Sequence, residues 1–376
     1  MKPIKDVRPE DLLGRKIVRI DMKAAGNFIK GKNVLITGSG GAIGAELCRE
    51  VARLSPKMLI AYDHNENDAY LLELEIGENY PNMKFQTIMG DIQDIGFLKH
   101  VFSEYKPHIV FHSAAHKHVP LMEKNPAAAV KNNIIGTRNV IDVAEYHDTE
   151  CVVMISTDKA LNPAGVMGAS KRIAEMIMQA RAKASRTRFT AVRFGNVIGS
   201  NGSVIPIFKR QISSGGPITV THPDSRRFFM TAREAAQLII KAGAIGSAGE
   251  IFMLDMGRQI KVTDIAKKLI KLSGLRPGKD IKIKFIGLRP GEKIFDEELI
   301  DRMRDKATAC DKIFVRPPDD FDRFQLNSDI NALEKLTALA DRHRITEKIK
   351  EIIRVYDTKK SRGHKSEDRK TAAMVR

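Results

Sequence analysis

The stretch from Lys32 to Gly44 constrains the fold of this chain more than any other. A short apolar run, Lys32-Asn33-Val34-Leu35-Ile36-Thr37, passes without a spacer into Gly38-Ser39-Gly40-Gly41-Ala42-Ile43-Gly44. An apolar run of this length, closed by glycine, reads as a parallel strand buried on both faces. The glycines allow a tight turn, close backbone approach to a phosphate, and tight packing of the next helix on the strand. A helix begun near Ala42 offers unpaired N–H groups to a pyrophosphate. A plain glycine-rich strand–helix turn is the alternative; the placement between strand and helix is what favours a dinucleotide site.

Four further apolar runs follow, Met58–Tyr62, Lys84–Met89, His108–His112 and Glu150–Ile155. Helical patterns separate them at Asn67–Tyr80, Ile95–Tyr105, Pro126–Tyr146 and Ala169–Ser185. This alternation predicts an α/β fold, a doubly wound parallel sheet with right-handed crossovers. Past Arg193 the pattern loosens, with Gly and Pro punctuating 199–223 and helices expected at Ala232–Ile245, Val262–Ser273 and Ile330–Tyr356. There is no internal repeat. The expected organisation is a polar lead-in over 1–30 and a dinucleotide-binding domain over 31–198. A smaller, partly interleaved lobe over 199–356 then caps the strand ends, where α/β sheets bind ligands, and a basic disordered tail occupies 357–376.

With 376 residues, 43% of them hydrophobic, the chain can build a substantial core. No stretch approaches the roughly 20 apolar residues of a membrane helix, and the N-terminus lacks the features of a secretory signal. A soluble, cytoplasmic protein without an integral membrane segment is expected. Cys48, Cys151 and Cys310 lie far apart without ligand spacing, so they read as reduced thiols, and no metal site is evident. The net charge of +17 favours acidic partners. Part of it lies in Thr358–Lys370, where no aromatic residues interleave the charges. That segment reads as a solvated tail, not a nucleic-acid arm.

Asp63 closes the second apolar run, nineteen positions after Gly44. A carboxylate there accepts the hydroxyls of an adenosine ribose and repels a 2′-phosphate, so NAD is favoured over NADP. His64 follows it and bears on that preference; capping of the helix near Asn67 is the alternative role for Asp63. Asp91, with Ile92 beside it, is placed to meet the adenine, and Ala114 and Ala115 leave room for the cofactor. Thr37, Gly38, Gly41, Ala42, Ile43 and Gly44 complete the expected cofactor set.

The Thr37-Gly-x-x-Gly-x-x-Gly44 spacing resembles that of extended short-chain dehydrogenases/reductases. Further stretches narrow the resemblance: Ala114-Ala-His-Lys-His-Val-Pro-Leu-Met-Glu123, Ser156-Thr-Asp-Lys-Ala160, Asn162-Pro163, Met167-Gly-Ala-Ser-Lys171, Arg193-Phe-Gly-Asn-Val197, Gly202-Ser-Val-Ile-Pro206, Arg227-Phe-Phe-Met-Thr231 and Leu288-Arg-Pro-Gly-Glu-Lys293. Together they are similar to the polysaccharide-biosynthesis group of nucleotide-sugar dehydratases, which includes UDP-N-acetylglucosamine 4,6-dehydratases. The likeness runs in order from about residue 8 to about residue 318. Many members of that group carry an N-terminal membrane region, and Arg8–Arg15 resembles the segment joining it to the catalytic core.

The resemblance implies a Rossmann-type sheet, bound NAD, a UDP-sugar or GDP-sugar substrate and a homo-oligomer. The implied reaction oxidises C4 of the sugar, eliminates water across C5 and C6, and returns hydride to C6. Asp158 is then the acid at the C6 oxygen, Lys159 the base at C5, and Thr157 a hydrogen-bond partner of the C4 oxygen. From the residues alone, a surface ion pair in a βα loop is an equal alternative for Asp158 and Lys159. Lys171 stands to bind the nicotinamide ribose. Most of the superfamily has tyrosine one helical turn before that lysine, where this chain has Met167, and a thioether cannot accept a proton at neutral pH. Met167 is thus expected to pack, and Asp158, directly or through water, is the expected base for the C4 hydroxyl. Lys117, Asn196, Ser203, Lys209, Arg227, Arg289 and Glu292 are the candidate substrate contacts, Lys209 with a solvated role as the stronger alternative. Two rival functions remain at this level: a nucleotide-sugar 4-epimerase, and a non-catalytic NAD-binding redox sensor.

Overall fold

Val34, Leu35 and Ile36 have no exposed surface, and strand β1 (Asn33–Thr37) runs through the middle of the sheet they bury into. The computed structural model describes residues 9–13, 15 and 20–355. The other main-sheet strands are β2 (Met58–Asp63), β3 (Phe85–Met89), β4 (Ile109–His112), β5 (Cys151–Ile155), β6 (Arg188–Arg193), β7 (Ile251–Leu254), β8 (Lys306–Ala307) and β9 (Ile313–Arg316). Their order is β8-β9-β7-β6-β5-β4-β1-β2-β3. Neighbours from β7 through β3 pair parallel, and β9 pairs antiparallel with both β7 and β8. The fold is a Rossmann-type α/β sheet of the doubly wound kind. The chain goes from β1 outward to β2 and β3, then returns to β4 on the other side of β1, so a crevice opens beyond the C-terminal ends of β1 and β4.

Helices Ala42–Ala52, Glu66–Asn79 and Ile95–Tyr105 connect the first strands. Two of them are capped by side chains that accept first-turn N–H groups: Asn65 from Asp68 at 3.3 Å and Asp94 from Phe97 at 2.9 Å. Helix Ala232–Ile245 carries a reciprocal capping box between Thr231 and Glu234.

The helix expected over Pro126–Tyr146 is present but not uniform. Residues Val130–Gly136 widen into a π-helical segment between Pro126–Ala129 and Thr137–Tyr146. Asn133, within it, accepts from the His116 N–H at 2.7 Å and donates to His116 O and Ser170 Oγ, both at 3.0 Å. The wide turn thereby ties the loop after β4 to the helix that carries Lys171. That helix spans Val166–Ala182, beginning three residues earlier than the apolar pattern suggests.

Two other expectations are corrected. The single helix over Ile330–Tyr356 is two, Arg323–Ala338 and residues 342–355, separated where Ala340 takes a left-handed φ of 51°. It starts earlier because Asp322 accepts from the N–H groups of Phe324 and Gln325. Within the polar lead-in, Lys23–Ile29 is a helix whose Ala25 and Ile29 are buried in the main core. Two apolar residues four apart place one helical face inward, a signal too short to stand out among charges. Tyr356 and the basic stretch 357–376 lie outside the described residues.

A second apolar cluster lies in the other half of the chain, where Ile205, Phe208 and Ile212 of helix Val204–Ser213 are buried with Ile265, Leu269 and Ile270 of helix Val262–Leu272. β7, β8 and β9 come from this half yet complete the main sheet. Among the described residues no helix is long and apolar enough to cross a membrane.

Candidate active site

Gly38 leaves β1 at φ +69°, a left-handed conformation that disfavours a side chain. A Cβ there would stand 2.6 Å from Cα of Ala114, just beyond β4, and a Cβ on Gly44 would collide with the Gly38 carbonyl oxygen. The turn is therefore compact enough for backbone to line the crevice. Ala42 and Ile43 open the helix behind it, after Gly41 in extended conformation. Asp63 Oδ2 accepts from the Gly40 N–H at 2.8 Å and Oδ1 from the Asn65 N–H at 2.9 Å. One carboxylate thus braces the glycine turn and shapes the next helix start; the helix cap proper is Asn65.

A cavity of about 190 Å³ lies over this turn, walled by Gly38, Gly41, Asp63, His64, Ile92, Ala114 and Ala115. Asp91 is beside it but not in its wall; its carboxylate accepts from the Gln93 N–H at 2.9 Å and Gln93 Nε2 at 3.2 Å. Ser39 Oγ is buried without a hydrogen-bond partner among the described residues. A close-packed glycine turn leading into a helix and a carboxylate at the end of β2 fit the phosphates and adenosine ribose of NAD.

Beneath the crevice, Thr37 at the end of β1 meets His112 at the end of β4. Thr137 Oγ1 donates to Asn133 O at 2.8 Å, so it accepts from His112 Nε2–H at 2.9 Å, leaving Nδ1 to accept from the Thr37 hydroxyl at 2.8 Å. This network assigns the neutral Nε2–H tautomer. Burial, with the nearby Lys171 charge, pulls the His112 pKa down to about 3. Lys171 is itself buried and lines neither cavity, and burial, against the pull of Glu175, brings its amine down to about 8. Met167 is buried in the main core and lines neither cavity.

The larger site is a cavity of about 330 Å³ between the strand ends and the second apolar cluster. Asp158 and Lys159 reach it from a single turn of 3₁₀ helix just past β5. Asp158 is 1% exposed. Its Oδ1 accepts from Lys159 Nζ at 2.9 Å and from the Thr157 hydroxyl at 2.8 Å, while Oδ2 is buried with no partner among the described residues. Thr157 also accepts from the Lys159 N–H at 3.3 Å and is absent from the cavity wall. Its one hydroxyl hydrogen is engaged by Asp158, so here it orients the carboxylate.

Sequence reasoning missed Asp296. It is 7% exposed, and its Oδ2 accepts from Asn196 Nδ2 at 2.9 Å and the Phe228 N–H at 3.1 Å. Arg227 Nε lies 3.4 Å from Oδ1. Burial pushes its carboxyl up to about 6, with Asp158 adding to the rise and Lys159 and Arg227 opposing it. Burial would strip Lys159 of its proton, but Asp158 and Asp296 outweigh it and hold the ammonium above its ordinary value. Three acidic residues stand in a row at Asp296–Glu298, and nothing local distinguishes the buried one.

Lys117, Asn196, Ser203, Arg227, Arg289 and Glu292 all line this cavity; Lys209, on helix Val204–Ser213, does not. Arg289 pairs with Glu292 at 2.6 Å. Arg227 donates to the carbonyls of Arg226, Lys293 and Ile294, so it holds its own surroundings together as well as facing the cavity. Ser203 Oγ is buried without a partner among the described residues. Burial lowers the Lys117 ammonium and, aided by Lys117 and Arg289, the His118 imidazole. Glu123 is a further omission: its carboxylate accepts from the Val166 N–H at 2.6 Å, and it packs where Gly165 and Gly291 meet. It joins the Lys117 loop, the Lys171 helix and the Arg289 loop. Among the described residues no group of acids, histidines and cysteines is arranged to hold a metal ion.

Residues 34–318 match the family described as "Polysaccharide biosynthesis protein". The chain is 53% identical over 297 residues to the "Probable polysaccharide biosynthesis protein EpsC" of Bacillus subtilis (strain 168), covering 79% of this chain and 50% of that protein. It is 46% identical over 347 residues to the "Capsular polysaccharide biosynthesis protein CapD" of Staphylococcus aureus, covering 90% and 58%. The chain thus spans between half and three-fifths of these two relatives. A "UDP-N-acetylglucosamine 4,6-dehydratase (inverting)" of Campylobacter jejuni subsp. jejuni serotype O:2 is 33% identical over 260 residues, covering 66% and 76%. Among solved structures, Pen from Bacillus thuringiensis superposes with a TM-score of 0.71 at 36% identity, covering 77% of this chain and 90% of that one.

Proposed function

Because the chain belongs to the polysaccharide biosynthesis protein family of extended short-chain dehydrogenases/reductases, we propose that it is an NAD-dependent nucleotide-sugar 4,6-dehydratase acting on UDP-N-acetylglucosamine. The observation that carries this reading is the Asp158–Lys159 pair at the cavity wall, with Asp158 Oδ2 unpartnered. A 4-epimerase needs hydride transfer at C4 alone; a dehydratase also needs an acid and a base at neighbouring carbons. A carboxyl and an amine set side by side at the cavity wall supply that pair. The inverting dehydratase among the relatives supports the same reaction class.

Bound NAD supplies the acceptor and donor for the hydride. In this reading Lys171, buried beneath the crevice, holds the nicotinamide ribose. Lys159, once it has released its own proton, takes the proton from C5, while Asp158, carrying the proton received from the C4 hydroxyl, gives it to the departing C6 oxygen. Thr157 fixes the rotamer of Asp158 and keeps one of its oxygens occupied. Asp158 Oδ2, reached directly or through water, is the group left to receive the C4 hydroxyl proton, since the Met167 thioether accepts no proton at neutral pH. Arg289 with Glu292, Ser203 and Lys117 meet the nucleotide and sugar.

Incubation with UDP-N-acetylglucosamine and NAD, followed by mass spectrometry of the nucleotide sugar, tests the proposal. A product lighter by one water with no net reduction of cofactor is expected. An unchanged mass with the sugar epimerised at C4 would replace the dehydratase reading with the epimerase one.

A further inference from the structure

Asp296 has no role in the reaction derived so far and Asn196 stands only as a candidate substrate contact, yet the two form part of the cavity wall beside Lys159. Asn196 Nδ2 donates to Asp296 Oδ2 at 2.9 Å and to Phe228 O at 3.1 Å. Both partners are acceptors, so the amide has one satisfactory orientation, with its oxygen turned to Lys159 Nζ at 3.5 Å. The Asp296 main chain is held as well, its carbonyl accepting from Gln259 Nε2 at 3.0 Å. Lys159 thus stands between the Asp158 carboxylate on one side and an amide oxygen backed by the Asp296 carboxylate on the other.

We propose that Asp296 is a positioning residue which, through the Asn196 amide and its own negative charge, fixes the Lys159 ammonium in place and sets how tightly it keeps its proton. The site has few other charges to do this. Arg227 faces both Asp296 and Lys159 and opposes the effect. Lys293 and Glu297, also in the wall, neutralise each other at 2.6 Å, and Lys293 donates to Asn162 O at 2.6 Å. Arg289 and Glu292 form their own pair, and Lys117 and His118 line the Gly202 side. A buried carboxylate a few ångströms from an amine raises the amine's proton affinity by an amount set by the local dielectric. The consequence for catalysis rests on the dehydratase reading, in which Lys159 must lose its proton to act; the placement of Lys159 does not.

Two readouts separate those layers. The first is an NMR titration of Lys159 in the NAD-bound protein carrying 13C-lysine, with the resonance assigned through Lys159→Arg. The second is the pH dependence of kcat and KM with UDP-N-acetylglucosamine. In Asp296→Asn, Lys159 is expected to titrate about one pH unit lower. The acid-side limb of kcat should move down by the same interval with KM nearly unchanged, and Asp296→Glu should restore both. An unmoved Lys159 titration in a folded Asp296→Asn overturns the proposal, as does a raised KM with an unmoved limb. If Asp296→Asn does not fold, Asp296→Ser is read by the same titration and judged by the same outcomes. A Lys159 titration that shifts as expected in Asp296→Asn, together with a wild-type protein that does not dehydrate UDP-N-acetylglucosamine, would sink the dehydratase reading and leave the positioning role standing.

Discussion

Lys159 Nζ donates to Asp158 Oδ1 across 2.9 Å, and the second oxygen of that carboxylate is buried with no partner among the described residues. One oxygen is held by the lysine and Thr157, and in the dehydratase reading the other is the one that exchanges a proton with the substrate. Asp158→Asn keeps the shape and removes the proton transfer. Turnover should fall about 100- to 10,000-fold, with NAD binding retained. Stopped-flow nicotinamide absorbance distinguishes the two duties of Asp158. Hydride removal from C4 at the wild-type rate in this variant would show that another group receives the C4 hydroxyl proton.

Asp63 braces the glycine turn through the Gly40 N–H and lines the cavity over it, where the proposed function puts the adenosine ribose. Charge-assisted hydrogen bonds of this kind contribute roughly 1.5–3 kcal/mol each, so Asp63→Ala should weaken NAD binding about 10- to 100-fold by calorimetry. NADP should bind the wild type more weakly than NAD, and Asp63→Ser should narrow the gap. Equal affinities in the wild type would remove Asp63 from cofactor selection.

Gly44 packs so closely on Gly38 that an added methyl group has nowhere to go. Overpacking of this kind costs about 1–3 kcal/mol, and here it also displaces the glycine turn that would meet the phosphates of NAD. Gly44→Ala should lower the melting temperature and abolish the stabilisation that added NAD gives the wild type. An unchanged thermal shift with NAD would mean that the turn does not carry the cofactor.

Met167 is a core residue in this structure. A change of similar volume costs less than about 1.5 kcal/mol in such a position, so Met167→Leu should keep kcat within about threefold of wild type. A hundredfold loss with the fold intact would show that the thioether touches the reaction.

Two buried networks make stability fall in acid. His112 has a folded pKa of about 3, below the ordinary 6.5, because burial disfavours its charged form. The unfolded chain therefore takes up a proton that the folded one refuses, and stability present above about pH 6.5 is lost as pH falls towards 3. Glu175 is costly to bury, but Arg193, at 2.5 Å, and Arg172 hold it down to about 2 from 4.5. Its contribution is present above about pH 4.5 and lost as pH falls towards 2. Urea unfolding at pH 7.5 and pH 5 isolates the histidine: wild type should lose about 2 kcal/mol more than His112→Gln. Parallel losses would assign the acid sensitivity elsewhere.

The sequence by itself determined the first five strands of the sheet and the glycine turn at the crevice, but not β6 to β9, which the loosened pattern past the fifth strand did not mark. Strand period, apolar run length and the steric demands of glycine are local properties, so Asn33–Thr37, Gly38 and Gly44 carried the same meaning before folding and after it. Asp158, Lys159 and Lys171 were legible through motif spacing in a strand-end loop and on a helix face. Only the tertiary structure decided which charges face one another. Asp296 reaches the Lys159 wall from a loop more than a hundred residues away, and Asn196 joins them from beyond β6. Lys209 and Ser203 lie six positions apart, yet only Ser203 lines the cavity. The π-helical turn at Asn133 and the break at Ala340 were equally hidden, because each replaces regular helix geometry at residues that helical propensity tolerates. An acidic residue has the same side chain in a solvated loop and in a buried wall. Desolvation and the neighbours that compensate it distinguish the two, and both exist only after distant segments pack.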